Sequence, residues 1–178
     1  MYAGKQPTGP YELKNDANTV VTRLLRYCSD TGRNVTMDNY FTSVSLANDL
    51  VHNHRITLVG TLRKNKRDVP PIFLDTKLRN RNSSMFTWGV DPNKCIPTSY
   101  VPKPNRNFLM LSMFHKDDEI DPERGDAMKP SVITFFNLTK GPVDVVDRMK
   151  VEYSTTRVSN RWPLTYFCFL LNIAGINS

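Results

Sequence analysis

Apolar positions recur at two different periods along the chain, and the switches between them divide it into elements. In 17–28 (ANTVVTRLLRYC), Val21, Leu24, Leu25 and Cys28 fall at helical spacing, and Asn15 or Asp16 stands where an N-cap belongs. Gly32 ends that helix. Residues 34–37 (NVTM) read as a short strand that runs straight into Asp38-Asn39-Tyr40-Phe41. Thr42 and Ser43 can cap a second helix, on which Leu46, Ala47, Leu50, Val51 and His54 share a face. Residues 56–62 (ITLVGTL) are apolar and β-branched, as in an inner strand. With 1–5 read as the end of a strand, the order is strand, helix, strand, helix, strand, which predicts an α/β layer.

The pattern then changes. Residues 63–107 hold basic clusters (RKNKR at 63–67, KLRNR at 77–81), many prolines and only brief strand-like pieces such as 85–88. Residues 108–114 (FLMLSMF) read as a strong strand, 116–126 as an acidic, turn-rich loop, and 131–138 (SVITFFNL) as another strand. The helical period returns over 143–153, with Val143, Val146, Met149 and Tyr153 expected inward. Trp162-Pro163 opens a last helix, proline being favourable at a first helical position, and Gly175 suits its C-terminal cap. Tyr166, Phe167, Phe169, Leu170, Leu171 and Ile173 surround that helix with apolar groups, which predicts deep burial. Three segments result: 1–62 as the first part of an α/β core, 63–130 as a β-rich basic insertion, and 131–178 as a final strand with an acidic helix and a C-terminal helix.

Composition adds a direction. At 178 residues, 39% hydrophobic and 23% charged, the chain is too apolar to be disordered. Its longest apolar run, near 166–174, is interrupted by Asn172 and falls short of the ~18 residues a membrane span needs. The first residues carry no signal-peptide pattern. The net charge of +7 is concentrated in 61–110, which carries +7, against +1 for 1–60, −2 for 111–150 and +1 for 151–178. Such a patch is the footprint of a polyanion partner, and a merely solvated face would carry the same charge. Cys28, Cys95 and Cys168 lie too far apart for a disulfide framework or a zinc site and read as free thiols in a reducing compartment.

The candidate chemistry is carboxylate chemistry. Asp38 stands where a strand ends, the position at which open α/β sheets bind ligands, although a lone aspartate there also serves as a turn cap. Asp144 and Asp147 are three apart on a helix and project from one face, where Lys140 and Arg148 could pair with them. One aspartate at a strand end with one or two on a later helix is an arrangement that can hold Mg²⁺, which prefers oxygen ligands and keeps several waters. No third acid is evident: Asp16 and Asp30 flank the first helix, and Asp49 is expected to face outward. The chain has no Gly-rich phosphate loop and no G-x-S-x-G, and His52, His54 and His115 lack metal-ligand spacing.

At this point a resemblance emerges. VTMDNYFTSVSLANDL (35–50), ITLVGTLRKNKRDVPP (56–71), SMFTW (85–88 with its preceding serine), TSYVPKPNRNFLMLS (98–112), KPSVITFFNLTKGPVDVVDRM (129–149) and the RWP–FLLNIAGINS tail resemble, in order, segments of piggyBac-type transposases. The resemblance implies a partial RNase H-like core, its first strands missing, interrupted by the insertion before its last acidic helix. It implies cut-and-paste transposition of DNA at TTAA sites by an Asp-Asp-Asp triad with Mg²⁺ or Mn²⁺. Asp38 then matches the second aspartate, Asp144 the third, and Asp147 an additional acidic position; Trp162 belongs to the RWP element and could pack near a DNA end or in the core. The basic side chains Arg63, Lys64, Lys66, Arg67, Lys77, Arg79 and Arg81 are the candidates for DNA contact. Transposon ends and TTAA target DNA, a homodimeric complete protein and a nuclear location are implied as well. The family's first aspartate, N-terminal DNA-binding region and C-terminal zinc domain have no counterpart in these residues, and Pro142 replaces a glycine. Two readings therefore stand: a piece of a working transposase, or a transposon-derived DNA-binding remnant that is inactive alone.

Overall fold

A computed structural model describes residues 9, 10, 12, 14–88, 95–156 and 158–178; the strand expected over 1–5 lies outside them. The chain divides into two compact units, Met1–Phe136 and Asn137–Ser178. In the first, α1 (Ala17–Leu25) is capped by Asp16, whose carboxylate accepts the Thr19 N–H at 3.1 Å, and a 3₁₀ turn (Arg26–Cys28) extends it. Strand β1 (Asn34–Met37) follows. Helix α2 (Val44–His54) is capped by Ser43, which accepts the Leu46 N–H at 3.2 Å, and stops at Arg55 in the left-handed conformation. Strand β2 (Thr57–Thr61) then returns parallel to β1, so α2 is the crossover of a βαβ unit. This part follows the sequence expectation.

The next segment extends the same sheet. After a one-turn helix α3 (Pro71–Leu74) come β3 (Ser83–Phe86), β4 (Ile96–Lys103) and β5 (Arg106–Ser112). They build no sheet of their own: β5 pairs antiparallel with β2, β4 with β5 and β3 with β4, giving one mixed sheet in the order β1-β2-β5-β4-β3. A break at 62/63 would leave the apolar strand β2 unpaired on one side. Side-chain alternation shows the two faces. Leu58, Leu109 and Leu111 join Val21, Leu46, Leu50 and Phe73 in one core, while Val59 and Met110 join Tyr100, Val132 and Ile133 in the other.

The second core explains why 131–138 is not a strand. That segment begins α4 (Ser131–Glu152): Val132 and Ile133 are buried and Phe135 and Phe136 half-buried against the sheet. The local β-propensity of Val, Ile, Thr and Phe is overridden because the sheet offers this segment a face to cover. Helix α4 ends in the second unit, where α5 (Trp162–Ile176) begins with Pro163 in its first turn as expected. Deep burial of α5 is not found: Trp162, Phe167, Leu170 and Leu171 are exposed, and Asn172 is its one buried residue among those described. Val143 and Tyr153, expected inward, are exposed too. Gly175 lies inside α5, and Asn177 is the C-cap.

Candidate functional site

The residue after β1 organises a tight turn. The Phe41 and Thr42 N–H groups both donate to the Asp38 carbonyl at 3.1 Å, and the Thr42 hydroxyl donates to it at 2.9 Å. The turn leaves the Asp38 carboxylate exposed at the C-terminal end of a parallel strand, held by one long hydrogen bond (3.4 Å) from the Thr61 hydroxyl at the end of β2. Two residues beyond Thr61, Arg63 reaches back to the same turn. Its Nε donates to Asn39 Oδ1 at 3.1 Å, and its guanidinium lies 5.2 Å from the centre of the Tyr40 ring. This link across 24 residues had no sequence signal beyond the neighbourhood of Asn39 and Tyr40 to Asp38.

In the second unit, Asp144 and Asp147 are exposed on α4. Asp147 is ion-paired with Lys150 at 2.9 Å, and Arg148, four residues after Asp144, pairs forward with Glu152 at 3.1 Å. Lys150 also lies over the Phe169 ring at 4.8 Å. Trp162 is 62% exposed.

The basic candidates separate by what holds them. Arg63, Lys64, Arg67, Lys77 and Arg81 are exposed, and Lys66 is half-buried. Arg79 is drawn inward: it donates to Ser99 Oγ at 2.6 Å, to the Ser99 carbonyl at 2.9 Å and to the Ser83 carbonyl at 3.0 Å. Ser99 Oγ in turn donates to the Phe73 carbonyl at 3.0 Å, and burial pushes the Arg79 guanidinium below its ordinary value. Its donors thus tie β3 to β4, and Ser99 links β4 to α3, which the charge pattern of 77–81 could not reveal. Of the cysteines, Cys95 is buried, and burial, with Asp68 adding to it, pushes its thiol up to about 12, where it stays protonated.

Carboxylate oxygens suit a hard divalent cation. Among the described residues, however, no group of three or more His, Cys, Asp or Glu side chains could hold a metal ion. The donor type fits and the donor number does not, so no catalytic step can be derived through a metal from this chain's geometry. Nor is any helix among the described residues long and apolar enough to cross a membrane.

An exposed aspartate thus stands at the end of the parallel strand β1, and a basic segment follows β2. A family model described as Transposase IS4 matches residues 1–178. The chain belongs to this transposase family, in its piggyBac-type branch. It is similar to the piggyBac transposase in the cryo-EM structure of its synaptic complex with hairpin DNA, with 34% identity and a TM-score of 0.82. The match covers 95% of this chain and 35% of that one, so the chain spans about a third of the length of that transposase.

Proposed function

We propose that these residues form part of the catalytic region of a DNA cut-and-paste transposase acting at TTAA sites, built on an RNase H-like core. The observation that carries this reading is the position of Asp38: an exposed carboxylate at the end of β1, in a fold matching a piggyBac transposase over 95% of its residues. By the family resemblance, Asp38 and Asp144 are the candidate oxygen ligands for Mg²⁺ or Mn²⁺, and Asp147 is an additional acidic position on α4. The chain's own residues do the binding: Arg63, Lys64, Lys66, Arg67, Lys77 and Arg81 contact phosphates of transposon ends and target DNA, and Trp162 packs near a DNA end. A homodimeric complete protein acting in the nucleus completes the reading.

Residues 1–178 exchanged for the matching segment of the piggyBac transposase test it. Excision from a TTAA-flanked donor should be supported, and should fall to background with Asp38→Ala or Asp144→Ala. Loss of excision in the unsubstituted exchange, with DNA binding retained, would favour a second reading. That reading is a DNA-binding remnant without catalysis, and the missing three-acid cluster among the described residues speaks for it. The 178-residue chain alone should not nick TTAA-flanked DNA with Mg²⁺ or Mn²⁺. Nicking that Asp38→Ala abolishes would refute the remnant.

A further inference from the structure

We propose that Asn39 and Tyr40 are positioning residues that hold the Arg63 guanidinium ready for a DNA phosphate beside Asp38; this rests on the DNA-binding reading above. The anchoring starts in the core. Phe41 packs against the first core cluster, and Tyr40 meets its ring edge-on at 4.9 Å between centres and 83° between planes. Tyr40 in turn supports one face of the Arg63 guanidinium at 5.2 Å, while Asn39 Oδ1 takes the Nε proton at 3.1 Å. Nε and one ring-facing side are thereby engaged. The two terminal amino groups have no protein acceptor among the described residues and form the planar fork that matches two phosphate oxygens.

A phosphate approaching Asp38 meets a negative charge, and a cation held on the same turn by Asn39 and Tyr40 offsets the repulsion. An arginine free in solvent would have to be immobilised when DNA binds. Holding it beforehand removes that cost and should strengthen binding about two- to tenfold. Asn39 and Tyr40 touch no phosphate themselves; they act through Arg63.

Fluorescence anisotropy on a labelled duplex, titrated at several salt concentrations, separates these roles. Arg63→Ala should weaken binding and lower the slope of log affinity against log salt by about one. Asn39→Ala and Tyr40→Leu should each weaken binding about two- to tenfold with the slope kept, and Tyr40→Phe, which retains the ring, should restore wild-type affinity. In an Arg63→Ala background both substitutions should have no further effect. Additive losses in that background, or unchanged affinity where Arg63→Ala alone is weakened, would overturn the positioning role. A wild-type chain that binds no duplex would overturn the DNA reading itself. Melting curves identify any variant that has lost its fold, and the half-buried Asn39→Ala, a small truncation, then decides the outcome.

Discussion

Thr42 occupies the space that a side chain on Gly60 would need. Gly60 faces Met37 across the parallel β1–β2 pair, and a Cβ built there would come within 2.8 Å of the Met37 carbonyl and closer still to the Thr42 hydroxyl. Both atoms are fixed: Thr42 is fully buried and bound to the Asp38 carbonyl, and the Met37 carbonyl is backbone. The close approach is what lets the turn carrying Asp38 fold down onto β2.

Gly60→Ala should therefore destabilise the chain by about 1–3 kcal/mol, the usual cost of forcing atoms into a filled core. Chemical denaturation measures it. Paired with Thr42→Ser, which removes a methyl from the crowded site and keeps the hydroxyl, the loss should shrink only partly. A full recovery would show that the methyl, and not the hydroxyl or the Met37 carbonyl, sets the limit.

Arg79 provides the contrast that separates structural from DNA-facing cations. Arg79→Ala removes three hydrogen bonds and leaves the Ser99 and Ser83 carbonyls short of a donor, so stability should drop by about 1.5–3 kcal/mol. Duplex affinity, measured under conditions where the variant is folded, should stay within a factor of two. An affinity loss equal to that of Lys64→Ala would place Arg79 on the DNA surface instead.

How far the sequence carried the fold is clearest strand by strand. Residues 34–37 and 56–62 could be read because each lies between well-capped helices and turn residues. Strand β5 stood out because both its faces are buried, which yields an unbroken apolar run. Strand β4 stayed hidden: Pro97 and Pro102 interrupt IPTSYVPK, and the register shifts between Tyr100 and Lys103, where Pro102 falls. For 131–138, strand and helix differ only in what the segment covers, and that is a tertiary fact. Asp38 could be singled out from its place after a strand. Its tie to Thr61, and those of Asn39 and Tyr40 to Arg63, could not, since they depend on β2 lying beside β1.

Ser112 and His115 form a pH-sensitive pair at the end of β5. The Ser112 hydroxyl oxygen accepts the Phe114 and His115 N–H groups at 3.2 and 3.1 Å, which leaves its proton for His115 Nδ1 at 2.8 Å. That arrangement needs a neutral ring. Burial against Phe114 and Phe135 lowers the pKa of His115 below 6.5, and Glu119 offsets this in part. The unfolded chain then binds the proton first as pH falls, so stability is full above about 6.5 and declines below it, down to the lower folded value. His115→Gln should remove that part of the slope in melts collected between pH 7.5 and 5. An unchanged slope would show that the ring titrates alike in both states.

Asn172 holds the second unit's loop to α5. Its Oδ1 accepts the Thr155 N–H at 3.1 Å and the Thr155 hydroxyl at 2.9 Å, and its Nδ2 donates to Ser154 Oγ at 3.3 Å and Thr156 Oγ1 at 3.2 Å. All four bonding positions of the amide are used. Asn172→Leu should cost about 1–3 kcal/mol because the Thr155 N–H loses its acceptor. Amide exchange at Thr155 is the direct readout: it should speed up in the variant, while exchange in β2 and β5 stays unchanged. Protection retained at Thr155 would mean the loop is held by other contacts.

The +7 carried by 61–110 makes the last prediction, because a DNA-binding surface and a solvated one respond differently to salt. Lys64, Arg67, Lys77 and Arg81 are exposed and free to meet phosphates, and each contact made should add about 0.9 to the slope of log affinity against log salt. Four contacts would weaken binding by roughly two orders of magnitude between 50 and 200 mM salt. Lys64→Glu with Arg67→Glu should lower both affinity and slope. Reversing Asp117 and Asp118 to lysine, in the acidic segment, should change the net charge by as much in the other direction yet leave the slope alone. If instead affinity follows net charge regardless of where the charge sits, or the wild-type response to salt is flat, the patch is a solvated surface and the phosphate contacts must lie elsewhere.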